Sequence, residues 1–577
     1  MRSVAAYIQG LVESKVGRKQ GSTKIKAGIA ASTAHPVDPA AMKSRGPDLP
    51  LPFGDFFVRE HRSQVGSCKL FADRPSKYTS YSLSEGFQRE SEKIYLANLL
   101  RSAGWKLDTR LVPLLALFYF VSEMARLSLH NIRSIGLQTD LRTDDSQFTL
   151  SLIVTLIPII IVEIPSNFIM RRIGAKLFFP LILTLSGLTL FFHGFVSNYA
   201  GLLAARFFAG LVNGGLFPGL LLYLSSFYTR AELQWRMGLF YSSGCLAAGV
   251  SGSLAYAFAR LDGALGLPGW AWVFLIEGGL TIVAGTVGFL WFPSSPEDAH
   301  FLTADEKRAV SERLEKDRSP ITEGGLLDAK PFRSSGFQIC QALRSPHVAL
   351  CCLAFFFAGT NLASIIHFQS SILNSLGHGP SVAQTLSIPP YTLGVVTVLL
   401  TSYLSDRHRS RAMASVVSGG LSAVGYSILY VSEEGSLKYG ALFLIVMGAY
   451  ATIPCLAAWM SNNSEPYARK ATSLALGPIA ANLGALISSL LFPNTDQPNF
   501  SIAVMVNIVF AMLIIVSCLG NLGYLTYVEA VKIHRRDEVL QHYALNDQAV
   551  DPSVQELLYL NGWEYLGDRH PDFKYSF

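Results

Sequence analysis

An arginine inside an apolar run is the first chemistry that this sequence offers. The run reads LLAARFFAGLVNGGLFPG over residues 202–219 and, continued to Leu224, is long enough to cross a bilayer. It contains Arg206 and is rich in glycine. A guanidinium in hydrocarbon is costly unless it faces a polar cavity or a partner, and small residues let neighbouring helices approach closely. The run therefore predicts either a cavity-lining arginine that binds an anion or a structural arginine paired with a carboxylate or a helix end.

Other titratable residues in or beside apolar runs could carry a proton, and these are His130, His367, Glu163 and Glu277. Imidazole titrates near neutral pH, so either histidine could relay a proton or could be a packing hydrogen-bond partner. Either glutamate could pair with a cavity arginine or could only stabilise helix packing. Among the neutral polar residues, Asn361 and Tyr391 could contact a substrate or could bond neighbouring helices to each other.

The composition predicts a polytopic membrane protein. Of 577 residues, 50% are hydrophobic and 15% are charged, whereas soluble domains carry about 25% charged residues. The net charge of +6 is expected to collect in cytoplasmic loops and does not indicate a nucleic-acid partner. The seven cysteines have no metal-ligand spacing, so no metal or other cofactor is expected. The sequence also has no phosphate-binding Gly-Lys-Ser/Thr loop and no catalytic constellation, which disfavours ATP-driven transport and an enzyme.

Apolar windows of about 20 residues predict an all-α integral membrane protein with twelve transmembrane helices in two six-helix bundles. The windows are 111–130, 148–170, 177–196, 201–224, 237–259, 270–292, 347–373, 382–404, 413–431, 439–460, 471–492 and 502–527.

The polar stretches between and around these windows set the predicted domain boundaries. We expect a largely disordered tail (1–104, with a short amphipathic helix around 90–101), a first bundle (105–292), a central loop (293–346), a second bundle (347–527) and a second tail (528–577). Within the central loop, Thr303 is expected to cap a helix over 305–316. With the N-terminus inside, the short inner loops hold ten Lys and Arg residues and the outer loops hold four. This asymmetry places both tails and the central loop in the cytosol.

Two basic inner loops occupy matching positions in the two halves. After the second window the chain reads SNFIMRRIGAK, with Arg171 and Arg172; after the eighth it reads SYLSDRHRSR, with Asp406, Arg407 and Arg411. A carboxylate and arginines at helix ends can form a latch, because a carboxylate favours a helix N-terminus. We therefore expect these five residues to gate the inner side, although plain positive-inside anchoring would also produce basic loops here.

These loops resemble the repeated loop of the major facilitator superfamily, and longer strings are similar to the fungal allantoate permease family. The strings are IVEIPSNFIMRRIG (161–174), ARFFAGLVNGGLFPG (205–219), LDGALGLPGWAWVFLIEGGLT (261–281) and LGDRHPDFKY (566–575). The resemblance covers residue 105 to the last residue and implies the major facilitator fold. That family belongs to the anion:cation symporter group, and its members carry nicotinate, pantothenate, allantoate, biotin, dipeptides and other small organic anions.

The resemblance also implies roles for particular residues. The family arginine of the first span stands here as Arg126, and that of the fourth span stands as Arg206. The carboxylates that relatives place near them are replaced by Ala125 and Asn213. Arg206 and Asn213 are seven residues apart, which is two helical turns, so they share a face. The resemblance thus implies two uncompensated positive charges in a central cavity and removes the usual proton-binding acid.

We therefore expect a secondary transporter that takes up a small organic anion by alternating access, by proton symport. Uniport or exchange without proton coupling, and a non-transporting nutrient sensor on a transporter scaffold, are the alternatives, because the coupling acids are changed. Expected partners are the anion, protons and the lipid bilayer, with the chain as a monomer in the plasma membrane.

Overall fold

The computed structural model describes residues 77–317, 335–375, 380–491, 501–536 and 566–577. The chain divides into a segment Met1–Leu83 and a compact unit Ser84–Phe577. Of the first segment only residues 77–83 are described, as the start of a helix. The predicted tail up to residue 76 lies outside the described residues, and so do 318–334 of the central loop and 537–565 of the second tail. Everything that follows concerns the compact unit.

The first half of the unit contains the helices that precede the central linker. They are α1 (Lys77–Ile132), α2 (Leu137–Asp140), α3 (Asp145–Ile173), α4 (Ala175–His193), α5 (Tyr199–Asn213), α6 (Leu216–Phe227), α7 (Leu233–Ala259) and α8 (Gly269–Trp291). Helix α3 begins with a capping box, in which Asp144 and Gln147 each accept a hydrogen bond from the other's backbone N–H.

The linker and the second half continue the series. Their helices are α9 (Ala304–Asp317), α10 (Ser335–Leu343), α11 (Pro346–Ser375), α12 (Pro380–Leu386), α13 (Ile388–His408), α14 (Arg411–Val431), α15 (Gly435–Asn462), α16 (Tyr467–Leu491) and α17 (Ser501–His534). The all-helical fold expected from the sequence is confirmed over the described residues.

Eleven helical segments of the described chain are long and apolar enough to cross a membrane by length and composition. Two of them, Tyr199–Phe227 and Val382–His408, each span a break between helices. Helix α7 coincides with the predicted fifth span and has 27 residues, but it is not among the eleven. Its serines and glycines lower its hydropathy, and some of them face the other half closely: a Cβ at Gly238 would lie 2.2 Å from Ser402 Oγ.

Helical structure extends beyond two of the predicted boundaries, and the short helix expected around 90–101 is part of α1. The first tail was expected to extend to residue 104, but α1 is continuous from Lys77 to Ile132. The buried side chains Ala103 and Leu107 join this part of the helix to the core. The second tail was expected from residue 528, but α17 continues to His534, and residues 566–577 pack against the bundle.

The opening apolar run is one membrane-spanning segment that breaks in the middle. Helix α5 ends at Asn213 and α6 begins at Leu216, with Gly214 and Gly215 between them. A Cβ at Gly214 would lie 2.9 Å from the Ile159 carbonyl oxygen, and one at Gly215 would lie 2.6 Å from a side-chain carbon of α3. The glycines therefore allow this segment to approach α3 more closely than any larger residue would permit.

The two most extensive contacts between the halves are made by α3 with α16 and by α7 with α13. Helices α3 and α13 are the second spans of their halves, and α7 and α16 are the fifth spans. In each contact the second span of one half packs against the fifth span of the other, so the two contacts are equivalent. In the first contact, Asn167 Nδ2 donates to the Ala471 carbonyl oxygen at 2.9 Å. This arrangement is typical of a transporter built from two repeats that enclose a site.

The linker helix α9 is fastened to α1. Thr303 and Glu306 form the expected cap, with the Thr303 N–H donating to Glu306 Oε2 at 2.9 Å. Lys106 Nζ and Ser102 Oγ also donate to Glu306, at 2.8 and 2.7 Å. Burial alone would raise the pKa of Glu306, but the hydrogen bonds from Lys106, the Thr303 N–H and Ser102 lower it to about 2. The linker is thus tied to the first half by a permanently charged carboxylate.

Candidate transport cavity

A cavity of about 190 Å³ lies between the two halves. Its walls are largely apolar, with a few polar side chains placed among them. The polar and charged side chains on its wall include Glu123, Arg126, His130, Glu163, Ser186, Arg206, Asn213, His367, Asn482 and Ser489. Apolar walls with a few convergent polar groups are typical of a small-molecule site.

Arg206 is the most deeply placed cation of this wall. Its residue is 3% exposed, and its guanidinium lies over the Phe274 ring at 5.4 Å. Nε and Nη2 of Arg206 have no hydrogen-bond partner among the described residues. Glu277 is the nearby carboxylate that attracts it, but the two make no ion pair within 4 Å, and Ser128 Oγ donates to Glu277 instead. Arg206 therefore has two buried donors without partners among the described residues.

Arg126 differs from the expectation of an uncompensated charge. Its Nη2 and Nε donate to Glu123 Oε2 at 2.7 and 3.0 Å. Glu123 is three residues earlier on α1, so it lies on the same helix face one turn away. The prediction considered only the position of Ala125 and was wrong about this charge. The three-residue spacing in the sequence would have revealed the pair.

Asn213 lies on the cavity wall with Arg206, which places both residues of α5 on the face that their spacing predicts. Its Oδ1 accepts a hydrogen bond from Ser186 Oγ of α4 at 2.6 Å. The amide is therefore held in place and leaves its Nδ2 group as a further donor two helical turns from the arginine.

Glu163 joins the two halves across the cavity. Its Oε1 accepts a hydrogen bond from Asn482 Nδ2 of α16 at 2.8 Å, and its Oε2 has no partner among the described residues. The residue is 2% exposed. A buried carboxylate with one free oxygen and one bond to the opposite half is well placed to change partner when it gains or loses a proton.

His130 and His367 also meet across the halves. Their ring centroids are 4.9 Å apart, with His130 on α1 and His367 on α11. Ser489 Oγ lies 3.3 Å from His367 Nε2, and His130 Nδ1 has no hydrogen-bond partner in the described part of the chain. Both rings line the cavity, and they contact each other between the two halves.

Asn361 and Tyr391, expected to contact substrate, do not line this cavity. Asn361 is fully buried, and its carbonyl oxygen accepts from Tyr426 Oη at 2.7 Å. Tyr391 packs edge-on against Tyr450, with ring centroids 5.6 Å apart. Both residues lie on helix faces turned toward neighbouring helices, which the sequence alone could not distinguish from the cavity face.

Four aromatic side chains of the wall were not anticipated: Tyr119, Phe217, Tyr241 and Phe355. Tyr119 stacks on Phe217 and Tyr241, with ring centroids 5.4 and 5.6 Å away. Aromatic residues are common on every face of a membrane helix, so no pattern in the sequence marked these four.

The second basic loop connects the halves at one end of the bundle, which we call the Asp406 face. Asp406 accepts a hydrogen bond from the Trp235 N–H of α7 at 2.6 Å and forms an ion pair with Arg411. Arg411 is 1% exposed and donates to Gln234 Oε1 at 2.9 Å and to the Arg230 carbonyl oxygen at 3.0 Å. The loop of the second half thus holds the start of α7 in the first half.

The first basic loop makes the matching contact. The Arg171 guanidinium lies over the Tyr467 ring at the start of α16, 4.7 Å from its centroid. Arg172 and Arg407 are exposed side chains on the same loops. Of the five residues expected to gate, Asp406, Arg411 and Arg171 are thus seen to contact the opposite half.

Known proteins identify the class to which this arrangement belongs. The family model of the Major Facilitator Superfamily matches residues 115–489. An uncharacterized transporter of Schizosaccharomyces pombe is 30% identical over 67% of this chain and 76% of its own length. The major facilitator-type transporter hxnP of Emericella nidulans is 28% identical, over 68% of this chain and 79% of its own.

A solved structure supports the same fold. The proton:xylose symporter XylE bound to 6-bromo-6-deoxy-D-glucose matches with a TM-score of 0.56 at 15% identity, over 71% of this chain and 93% of that one. The chain belongs to the Major Facilitator Superfamily. It is a multi-pass membrane transporter, and the cavity between its halves is where a transporter of this class holds a small molecule.

Proposed function

We propose that this transporter carries a small organic anion, bound through its carboxylate by Arg206. The observation that carries the proposal is that Nε and Nη2 of Arg206, a residue of the cavity wall, are buried without a hydrogen-bond partner among the described residues. A buried donor without a partner costs about 1–3 kcal/mol. A carboxylate can accept from two nitrogens of one guanidinium at once, which would remove that cost on binding.

Arg126 has a different part in this proposal. Because Glu123 already occupies its guanidinium, it adds little net charge in the state described. It lies in the same cavity, so it could transfer from Glu123 to the substrate as the halves move. The stacked rings of Tyr119, Phe217 and Tyr241 would contact the apolar part of the anion.

We further propose that transport is coupled to protons through Glu163, in place of an acid at position 213. Glu163 bonds to Asn482 of the other half, so its protonation would change a contact that must break when the cavity opens. The His130–His367 pair and Glu277 are the other candidates for the proton path.

The finer assignments follow from the resemblance of the sequence strings. We place the chain in the allantoate permease type, acting as a monomer in the plasma membrane with both ends in the cytosol. The Asp406 face is then cytosolic, and Asp406, Arg411 and Arg171 close the inner gate.

Uptake by Arg206 variants tests the proposal. Cells that express the chain are supplied with radiolabelled nicotinate, pantothenate, allantoate and biotin, with and without an imposed proton gradient. Arg206→Ala should raise KM at least tenfold for the accepted anion, because a buried charged pair loses about 2–5 kcal/mol when one partner is removed. Arg206→Lys should recover only part of this loss, since lysine cannot form the two-point contact.

The matched control is Arg260→Ala, which removes an exposed arginine and should leave uptake unchanged. Normal uptake by Arg206→Ala at equal surface abundance would refute the anion assignment. Uptake that ignores the proton gradient would favour uniport or exchange, and binding without accumulation would favour a nutrient sensor.

A further inference from the structure

The last described residues, Leu566–Phe577, lie against the second half at the Asp406 face, and we call them the C-terminal segment. Asp568, His570 and Phe573 of this segment are buried. Arg469 donates to the Leu566 carbonyl oxygen at 3.0 Å and forms an ion pair with Asp568. The segment is therefore anchored at its start by a nearly buried arginine of α16.

Its far end is fixed by a second set of bonds. Trp459 Nε1 and Asn463 Nδ2 both donate to the Ser576 carbonyl oxygen at 2.9 Å. The Ser576 N–H donates in return to Asn463 Oδ1 at 2.8 Å. Because these bonds come from α15 and the residue that follows it, the segment spans the surface from α16 to α15.

One glycine shows how closely the segment fits. Gly567 has a φ of +58°, and a Cβ there would lie 2.3 Å from the Glu465 carbonyl oxygen. A larger residue would be excluded both by the backbone conformation and by the space. The segment is thus built to lie on this surface.

Arg230 of the first half reaches the same segment. It lies between α6 and α7, and its guanidinium sits over the Phe573 ring at 5.1 Å, with Nη1 donating to the Lys574 carbonyl oxygen at 3.3 Å. Its backbone N–H and Nη2 also donate to Asp317 of the linker helix, at 2.7 and 3.0 Å.

The backbone of Arg230 makes the remaining contact across the halves. Its carbonyl oxygen accepts from Arg411 Nη2 and from Asn462 Nδ2, both at 3.0 Å. One residue of the first half therefore meets the linker, the second half and the C-terminal segment. In alternating access the cavity opens first at one end of the bundle and then at the other. When the halves separate at the Asp406 face, all of these contacts to the second half must break.

We propose that Arg230 is a gating residue of this transporter and that the C-terminal segment positions it. The Phe573 ring and the Lys574 carbonyl hold the guanidinium over the second half, and this stabilises the state in which the Asp406 face is closed. The function of the segment is then to set how often that face opens, whatever substrate the cavity carries.

Cys455 supplies a native reporter of opening. It is fully buried beneath this face, where Gln234 Nε2 donates to its sulfur at 2.8 Å. The full chain in membrane vesicles is treated with a maleimide, and labelling of Cys455 is timed by peptide mass spectrometry, which separates it from the exposed Cys340. No substrate is needed, so the result does not depend on the anion proposal.

Two variants remove the contact from opposite sides. Arg230→Ala removes the guanidinium, and Phe573→Leu removes the ring while keeping an apolar side chain of most of its volume, so the second variant can fold even if the first cannot. Each should speed Cys455 labelling about five- to tenfold, which is the size expected for one cation–π contact, with a hydrogen bond in addition for Arg230→Ala.

Lys574→Ala is the matched control, because the exposed side chain is removed while the carbonyl that accepts from Arg230 remains. It should label at the unmodified rate. Acceleration in both test variants but not in the control supports the proposal. Labelling of folded Phe573→Leu at the unmodified rate, or equal acceleration in Lys574→Ala, would overturn it.

Discussion

Replacing Glu163 by glutamine should uncouple transport from protons without stopping movement of the halves. The variant keeps an oxygen that can accept from Asn482 Nδ2, now 2.8 Å from Glu163 Oε1, but it can no longer exchange a proton. We expect accumulation driven by a pH gradient to disappear. Exchange of labelled for unlabelled anion should persist, because exchange moves no net proton.

The rate of exchange measures how far the substitution weakens the contact between the halves. A hydrogen bond to a charged group contributes about 1.5–3 kcal/mol and one between neutral groups about 0.5–1.5 kcal/mol. The substitution therefore weakens the contact between halves by about 1 kcal/mol, and separation should become about fivefold faster. This holds if breaking the Glu163–Asn482 bond belongs to the rate-limiting step.

The assay uses purified protein in proteoliposomes, with accumulation measured under an imposed pH gradient and exchange measured without one. Glu312→Gln is the matched control, because the same change is made at an exposed carboxylate paired with Arg308 on the linker helix. If Glu163→Gln accumulates the anion with an unchanged response to the pH gradient, Glu163 does not carry the coupling proton and this reasoning is wrong.

Two further predictions use charges outside that pair. Glu123→Gln should free Arg126 and lower the KM for the anion about fivefold, because an unpaired charge attracts a carboxylate by about 1 kcal/mol in a wet cavity. The KM is measured from initial rates of uptake. An unchanged KM would mean that Arg126 does not face the substrate. Burial lowers the pKa of His570 to about 4; Lys532 and Arg536 add to this effect and Asp572 opposes it. When the C-terminal segment leaves its surface, the imidazole regains its ordinary pKa of about 6.5. Below pH 6.5 the free segment therefore binds a proton that the docked segment does not. Docking of the C-terminal segment should therefore be complete above pH 6.5 and weaken by up to about tenfold per pH unit toward pH 4. Hydrogen exchange of residues 566–577, corrected for the intrinsic pH dependence, measures how firmly the segment is docked. His570→Gln should abolish the pH dependence of docking.

The sequence predicts the helices of this protein well because membrane spans depend on local composition. The apolar windows coincide with the observed helices, and even the break at Gly214 and Gly215 falls in a stretch whose glycines are visible beforehand. Helix α7 is the instructive exception. Its hydropathy is too low for a typical span, and it packs against α13, a contact between distant parts of the chain.

The cavity was predictable only in part. The two-turn spacing of Arg206 and Asn213 places them on one face, and the structure agrees. The bond between Glu163 and Asn482 joins residues 319 positions apart, so no local pattern could reveal it. The same is true of the His130–His367 contact.

The neutral polar residues were harder to place. Asn361 and Tyr391 were candidates because polar groups in spans often line a cavity, but neither lines this one. The Asn361 side-chain amide is buried without a hydrogen-bond partner among the described residues, and Tyr391 packs against Tyr450. Which face of a helix meets the cavity depends on its rotation about its own axis. That rotation is set by the packing of all its neighbours, and a single sequence does not contain it in readable form.

The most direct test of the account is a structure of the protein with its transported anion bound. We predict that the carboxylate will lie within hydrogen-bonding distance of Nε and Nη2 of Arg206, in the cavity between the halves. An anion bound away from Arg206, or an Arg206 that pairs with Glu277 while the cavity is occupied, would contradict the central claim.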